Sequence, residues 1–462
     1  MTFSKGKTIS PILVGTNVWY IELSDEVWKL TEESGVTSIR IGGHAYDKQM
    51  PSNEQLIDWV KKIQSIGAEP ILQVSQYAPP SDAKALVKLF NVDLVTGKAI
   101  KYWNIGNEPW LQNNKPAFSE LGAMVETYFK PRSEIMKAVD PTIKIFGPDF
   151  CYYIDEAVND LFGGKNDISG KIPGKDYFYC DGISWHRYPQ DENINLAYEG
   201  IEDFERAIIK CKSKVDSVNV LHNRKGDIAL GWGIGEYNAK GGPQVHTWEN
   251  GQMFGGVLNL SMKYEATYAT SWSMFEHGGD RKGSDFSFID GTNMIPRPSY
   301  RHMQMIAKNF SGVYVDGTSS TKDIITFGSV DKNNTLHLNA NKKLLCINHY
   351  RYGSFEYLYG IKEGRGGGVH KYKYKNNIKL IKSINDKFLP NDTYLRDKSE
   401  DIIHLCKENN SRPKIELYPN SRWLLLKNSN KEKYDEFKSW NNDNNILNHN
   451  QINEINNFIN NI

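Results

Sequence analysis

Eight short apolar runs recur along the first two thirds of the chain, each followed by a stretch with helical spacing, and this alternation restricts the fold more than any other feature. The predicted strands are Ile12–Asn17, Val36–Gly43, Glu69–Ser75, the stretch Lys101–Trp110, Thr142–Gly147, Asp181–His186, Leu230–Glu236 and Ala266–Trp272. Helices are predicted over Asp25–Ser34, about 53–66, Asp82–Phe90, Phe118–Val139, 154–162, Leu196–Leu221, about 248–264 and Tyr300–Asn309. Ser52, with Gln55 three residues on, is placed to cap the second of these, and Pro131 should kink or split the helix that contains it. Strands that alternate with helices form a parallel sheet covered on both faces. Doubly wound sheets share this grammar, but polar residues clustered just past the strand ends favour a closed (β/α)8 TIM barrel over residues 10–310.

The chain has 462 residues, enough for a barrel of about 250 to 300 with an appendage. From Gly312 the pattern becomes strict alternation: Val313-Tyr314-Val315, Ile324–Phe327, then Thr335–Leu338 after the turn Asp331–Asn334. That predicts a small antiparallel β domain over 311–430, packed behind the barrel. No alanine follows Ala340, and Lys, Asn, Ile and Tyr dominate from there. This region is either a divergent β domain running into disorder or the product of a shifted reading frame. An Asn-rich, nearly low-complexity tail over 431–462 is expected to be disordered.

Charge and cysteine usage remove several function classes. With 56 basic against 55 acidic residues, net +1, no basic face marks a nucleic-acid partner. No uncharged apolar run approaches the roughly 18 residues of a membrane span. The five cysteines lack the close pairs of a zinc site or a redox dithiol, so neither metal nor cofactor is expected. No Gly-rich phosphate loop meets a helix start, and Gly364–Gly368 reads as a loop. Met1–Lys7 carries no apolar leader with a cleavage site, so the protein is expected either to stay inside the cell or to be a mature or truncated form of an exported one. The 25 Tyr and 11 Trp suit surfaces that stack on sugar rings, although most aromatics in any chain are core.

Two strand ends carry the chemistry. Trp103-Asn104-Ile105-Gly106-Asn107-Glu108-Pro109 ends in an amide–carboxylate pair, and proline, having no N–H to donate, stops the ladder there. Glu108 therefore belongs at the C-terminal rim, where a parallel barrel does its chemistry. A lone Asn-Glu-Pro is more often an ordinary loop acid, but Ile234-Gly235-Glu236 delivers a second carboxyl from the seventh strand.

Together with Ser184-Trp185-His186-Arg187-Tyr188-Pro189, Ser38-Ile39-Arg40-Ile41-Gly42-Gly43 and Ser271-Trp272-Ser273, these ends resemble clan A of the retaining glycoside hydrolases. Within that clan the trailing β domain makes the chain more similar to families 39, 51, 30 and 79 than to plain barrels. The resemblance implies a glycosidase acting on polysaccharide or oligosaccharide, with Glu108 as acid/base and Glu236 as nucleophile on strands four and seven. It also implies a cis peptide between Trp272 and Ser273. Two acids about 5 Å apart should raise one pKa, and Glu108 is the expected one. Asn107 is placed to donate to a sugar 2-hydroxyl, or is a loop cap. Arg40 keeps Glu236 charged, or is only a structural ion pair. His186 and Tyr188 steady the nucleophile, with a core histidine the rival for His186. Trp272 floors the first sugar subsite, and Trp185, Trp110, Tyr237 and Trp19 are weaker stacking candidates. A barrel that binds glycans without cleaving them is the alternative function, and retention of both glutamates argues against it.

Overall fold

Strands buried on both faces need cover on both sides, and here they obtain it by closing on themselves. The computed structural model describes residues 2–19, 22–190, 194–239, 243–276, 285–318, 324–330, 336–342 and 345–347. In chain order its elements begin with β1 (Thr2–Thr8), β2 (Val14–Val18), α1 (Asp25–Ser34), β3 (Ser38–Ile41), α2 (His44–Lys48), α3 (Asn53–Ser65), β4 (Glu69–Val74) and α4 (Pro80–Val87). They continue with β5 (Tyr102–Ile105), α5 (Pro109–Gln112), α6 (Phe118–Val139), β6 (Lys144–Phe150), α7 (Asp155–Leu161), β7 (Gly182–Gln190), α8 (Ile194–Leu221) and β8 (Gly231–Ala239). Then come α9 (Trp248–Lys263), β9 (Ala269–Ser271), α10 (Pro298–Asn309), β10 (Val313–Thr318), β11 (Ile324–Val330), β12 (Leu336–Lys342) and β13 (Leu345–Ile347).

Strands β2 to β9 form a closed parallel barrel, sealed where β2 pairs with both β3 (Gly15 opposite Ser38) and β9 (Thr16 opposite Ser271). The expected strands four and seven are β5 and β8. Period-2 alternation sends successive side chains to opposite walls. On β7, for example, Trp185 packs outward on Phe204 of α8 while His186 turns into the barrel mouth.

Ser52 caps α3 as predicted, its Oγ accepting from Gln55 N at 3.2 Å. The fate of Pro131 is different from that expected. Helix α6 runs unbroken from Phe118 to Val139, with Leu121, Val125 and Phe129 buried before the proline and Ser133 and Met136 after it. Apolar burial on one stripe outweighs the single lost hydrogen bond, and Arg132 tethers the segment through Ser75 O and Tyr128 O. Helix α4 starts two residues before the prediction, and a π-turn over Lys88–Val92 follows it. Three barrel strands outrun their predicted ends by three residues or more: β6 reaches Phe150, β7 Gln190 and β8 Ala239.

Strand β1 was not anticipated. It pairs antiparallel with β10 (Lys5 opposite Val315), which in turn pairs with β11 (Val315 opposite Gly328), so the chain's start completes the sheet that follows the barrel. The Tyr314 hydroxyl donates to Asn259 of α9 at 2.9 Å, and Phe310 packs on Phe327. The chain divides into two units, Met1–His337 with Lys343–Cys346, and Leu338–Lys342 with Ile347–Ile462. The barrel belongs wholly to the first. The expected β domain from 348 onward and the tail 431–462 lie outside the described residues. No helix among the described residues is long and apolar enough to cross a membrane.

Candidate active site

Beyond Ile105 the ladder stops, and the chain turns through Gly106 (φ 77°) into Glu108, which lies at φ 43° and ψ 54°. A side-chain-bearing residue in this left-handed region costs about 1–3 kcal/mol and persists only where its surroundings impose it. They do so here. Glu108 N donates to Asp149 O at 2.8 Å, and Asn107 N donates to Asp47 Oδ2 at 3.0 Å. The buried Asp47 carboxylate also accepts from Gln73 Nε2, Gln76 N, Gln76 Nε2 and Gln112 Nε2 at 2.6–3.0 Å. Burial pushes its pKa up against those donors.

Arg40, on β3, is fully buried and ties the ends of five other strands together. Its Nη1 donates to Glu236 Oε1 (3.1 Å) and Asn17 Oδ1 (2.9 Å). Its Nη2 donates to Asn107 Oδ1 (2.7 Å), Asp149 Oδ2 (3.0 Å) and Gln73 Oε1 (3.2 Å). A guanidinium can only donate, so Asn107 must present its carbonyl to Arg40 and its amide NH2 elsewhere. Burial works against the Arg40 charge, but Asp149 and Glu236 overcompensate and hold its pKa above the ordinary value.

Glu236 also accepts from the Tyr188 hydroxyl, Oε2 to Oη 2.7 Å, and faces His186 Nδ1 at 3.5 Å. Among the described residues the Glu108 carboxyl has one close partner, the same nitrogen at 2.9 Å. His186 Nδ1 and one oxygen from each glutamate lie within 4.8 Å of one another, so the two carboxyls face each other across the barrel mouth. That donor set could take a divalent ion, but the Arg40 cation 3.1 Å from Glu236 already balances the same charge. His186 and Tyr188 lie inside β7 and not after it, because that strand runs on to Gln190.

The electrostatics reverse one expectation. Burial is the largest influence on both glutamates and raises each. At Glu108, however, the hydrogen bond and charge of His186 prevail and hold its pKa below the usual carboxylate range. Glu236 ends above that range: burial, with the Glu108 charge beside it, outweighs His186, Arg40 and the Tyr188 hydroxyl. His186 itself is raised despite burial, by Glu236, Glu108 and Asp149.

Of the aromatic candidates, Trp272 is half-buried beside this centre. Its indole rests on the Gly43 backbone, where an added Cβ would come within 2.6 Å, and stacks on Trp19 at 6.0 Å and 19°. The Trp272–Ser273 peptide is cis, as the resemblance implies. Glu276 anchors this shelf, accepting from Trp19 Nε1, Ser273 Oγ and Phe286 N. Trp110 packs on Phe118 and Tyr152 and donates to Pro116 O, half-buried. Trp185 and Tyr237 are not stacking residues. Both are fully buried on the outer wall, Trp185 against Tyr153 and Phe204 and Tyr237 against Phe254. Each precedes or follows an inward residue by one position, which sends it to the opposite face.

Sequence reasoning missed Asn17, Gln73, Asp47 and Asp149. The rule that singled out Arg40 and Glu236, a polar residue at the C-terminal end of a barrel strand, finds Asn17 on β2 and Gln73 on β4. It finds Asp149 only if β6 is carried past the cis Gly147–Pro148 bond. Asp47, on α2, carried no such signal.

No protein-family model matches the sequence, and no curated protein matches it significantly. Solved structures do match. A family 51 alpha-L-arabinofuranosidase from Bifidobacterium longum shares 14% identity at a TM-score of 0.56, over 74% of this chain and 83% of its own. The alpha-L-arabinofuranosidase of Thermotoga maritima shares 16% at 0.55, over 73% and 85%. CelM2, a bifunctional glucanase-xylanase from a metagenome library, shares 13% at 0.52, over 73% and 85%. At these identities the likeness is one of fold: the chain shares the (β/α)8 architecture of these structures.

Proposed function

We propose that the chain is a retaining glycoside hydrolase that cleaves O-glycosidic bonds of polysaccharides or oligosaccharides through a covalent glycosyl-enzyme intermediate. The observation that carries this reading is the pair of facing carboxyls, with oxygens within 4.8 Å, on strand ends of one barrel mouth. Retaining enzymes hold their two carboxyl groups about 5–5.5 Å apart, whereas inverting ones leave about 6.5–9.5 Å for a water.

The partners divide the roles. Glu236, oriented by the donors Arg40 and Tyr188, is suited to attack the anomeric carbon as a carboxylate. Glu108, which meets an exchangeable imidazole nitrogen, is suited to hand a proton to the departing oxygen. As the Glu236 oxygen bonds to the anomeric carbon, the glycosidic C–O pair leaves with the oxygen, which takes the Glu108 proton. Water then attacks the glycosyl ester, gives its proton to Glu108 and releases Glu236. Asn107, whose amide NH2 Arg40 turns away from itself, can donate to a sugar hydroxyl, and Trp272 can floor the first subsite.

The test is a panel of aryl glycosides, α and β, of arabinose, xylose, glucose, mannose and glucuronic acid, with the first-formed anomer followed by NMR. Turnover with the substrate's own anomer is expected. An inverted first product, or no turnover across the panel by folded protein, would overturn the reading.

A further inference from the structure

Asp149 makes contacts that the reading above leaves without a purpose. Its side chain is fully buried, its φ is 52°, and its main-chain carbonyl holds Glu108 N at 2.8 Å. One carboxylate oxygen, Oδ2, accepts from Arg40 at 3.0 Å. The other, Oδ1, has no hydrogen-bond partner among the described residues, and neither does His186 Nε2, which faces it across 4.0 Å. Gly235 keeps that space open. A Cβ there would come within 2.7 Å of Oδ1 and 2.9 Å of Nε2.

Resting on the glycosidase reading, we propose that Asp149 is a positioning residue for the acid/base, acting through His186 by fixing which imidazole nitrogen carries the permanent hydrogen. A carboxylate can only accept, so the ring must present N–H to it from Nε2. Nδ1 is then the nitrogen whose proton comes and goes. In the neutral ring it accepts the O–H of Glu108, and in the charged ring it donates to the Glu108 carboxylate. Glu108 can therefore hold a proton at the start of glycosidic cleavage and be stabilised as an anion once that proton has gone to the leaving oxygen.

The variant Asp149→Asn inverts this arrangement with little steric change. Arg40 requires an acceptor, so it takes the Asn carbonyl and leaves the amide NH2 facing Nε2. Nε2 must then give up its hydrogen, and Nδ1 becomes a permanent donor that keeps Glu108 ionised. Asparagine is also the side-chain-bearing residue that best tolerates a positive φ, so the variant is expected to fold.

Two readouts distinguish this from a merely structural role. With 15N-labelled protein, the two-bond nitrogen–proton correlations of His186, assigned by its loss in His186→Gln, should show the ring hydrogen moving from Nε2 to Nδ1 in Asp149→Asn. In kinetics, kcat/KM should fall by about 30-fold or more on phenyl glycosides, which need a proton on the leaving oxygen. On dinitrophenyl glycosides, which do not, it should fall by less than about 3-fold. An unchanged tautomer, or an equal loss on both leaving groups, overturns the proposal. Failure of the glycosidase reading looks different: wild-type protein inactive on every glycoside, or Glu108→Ala lacking the leaving-group dependence. In that case the tautomer measurement still decides whether Asp149 sets the His186 tautomer, while the acid/base role falls with the glycosidase reading.

Discussion

The ends of β5 and β8 bring chemically identical groups to the same rim and treat them differently. At the β8 end, Glu236 lies inside the strand, opposite His186 just past a bulge, and is held by a guanidinium and a phenol. At the β5 end, Glu108 is on a left-handed corner outside the ladder, its side chain 16% exposed against 7% for Glu236, with His186 as its close partner. Position in the fold, and not residue type, separates a carboxyl fixed in place from one placed to exchange a proton. In the proposed mechanism His186 can give or take the proton that Glu108 needs, so a low resting pKa at Glu108 is compatible with the acid role. The number and kind of donors at each carboxyl is the more direct guide to its role.

The contrast can be tested by substitution at each end. The largest effect is expected for Glu236→Ala, which should lower kcat on any responsive substrate by about 10⁴-fold or more; added azide should restore turnover as a glycosyl azide of inverted configuration. Glu108→Ala should cost about 10²–10⁴-fold on substrates with poor leaving groups and little on dinitrophenyl glycosides, and azide should give the retained product. Exchange of the two azide configurations would exchange the roles. The smallest effect separates the inner from the outer wall. Trp272→Ala should raise KM by about 10-fold through lost stacking, while Trp185→Ala should leave KM unchanged but cost about 3–5 kcal/mol of stability, read as a lower melting temperature. A KM effect at Trp185 would mean that its side chain reaches substrate.

Much of the site was legible because strand chemistry is local. A proline after Glu108, glycines after Ile41 and an acid closing an apolar run announce strand ends, and the rim of a parallel barrel collects them. The same local rule places Trp185 and Tyr237 on the outer wall, since each is next to an inward residue, His186 or Glu236. Asp149 was harder. A Gly-Pro pair reads as the end of a strand, yet β6 continues past it to Phe150.

The sequence by itself therefore determined the barrel, the two carboxyls and most of the side chains around them, because period-2 burial, helix caps and strand-ending residues act within a few positions of one another. Only the tertiary structure decided that Arg40 joins Glu236 to Asp149 and Asn107, that His186 stands between both glutamates, and that the first strand completes a sheet with residues some 310 positions later. These are meetings between segments far apart in the chain. They follow from how eight strand ends converge when the barrel closes, and no local pattern of residues records that convergence.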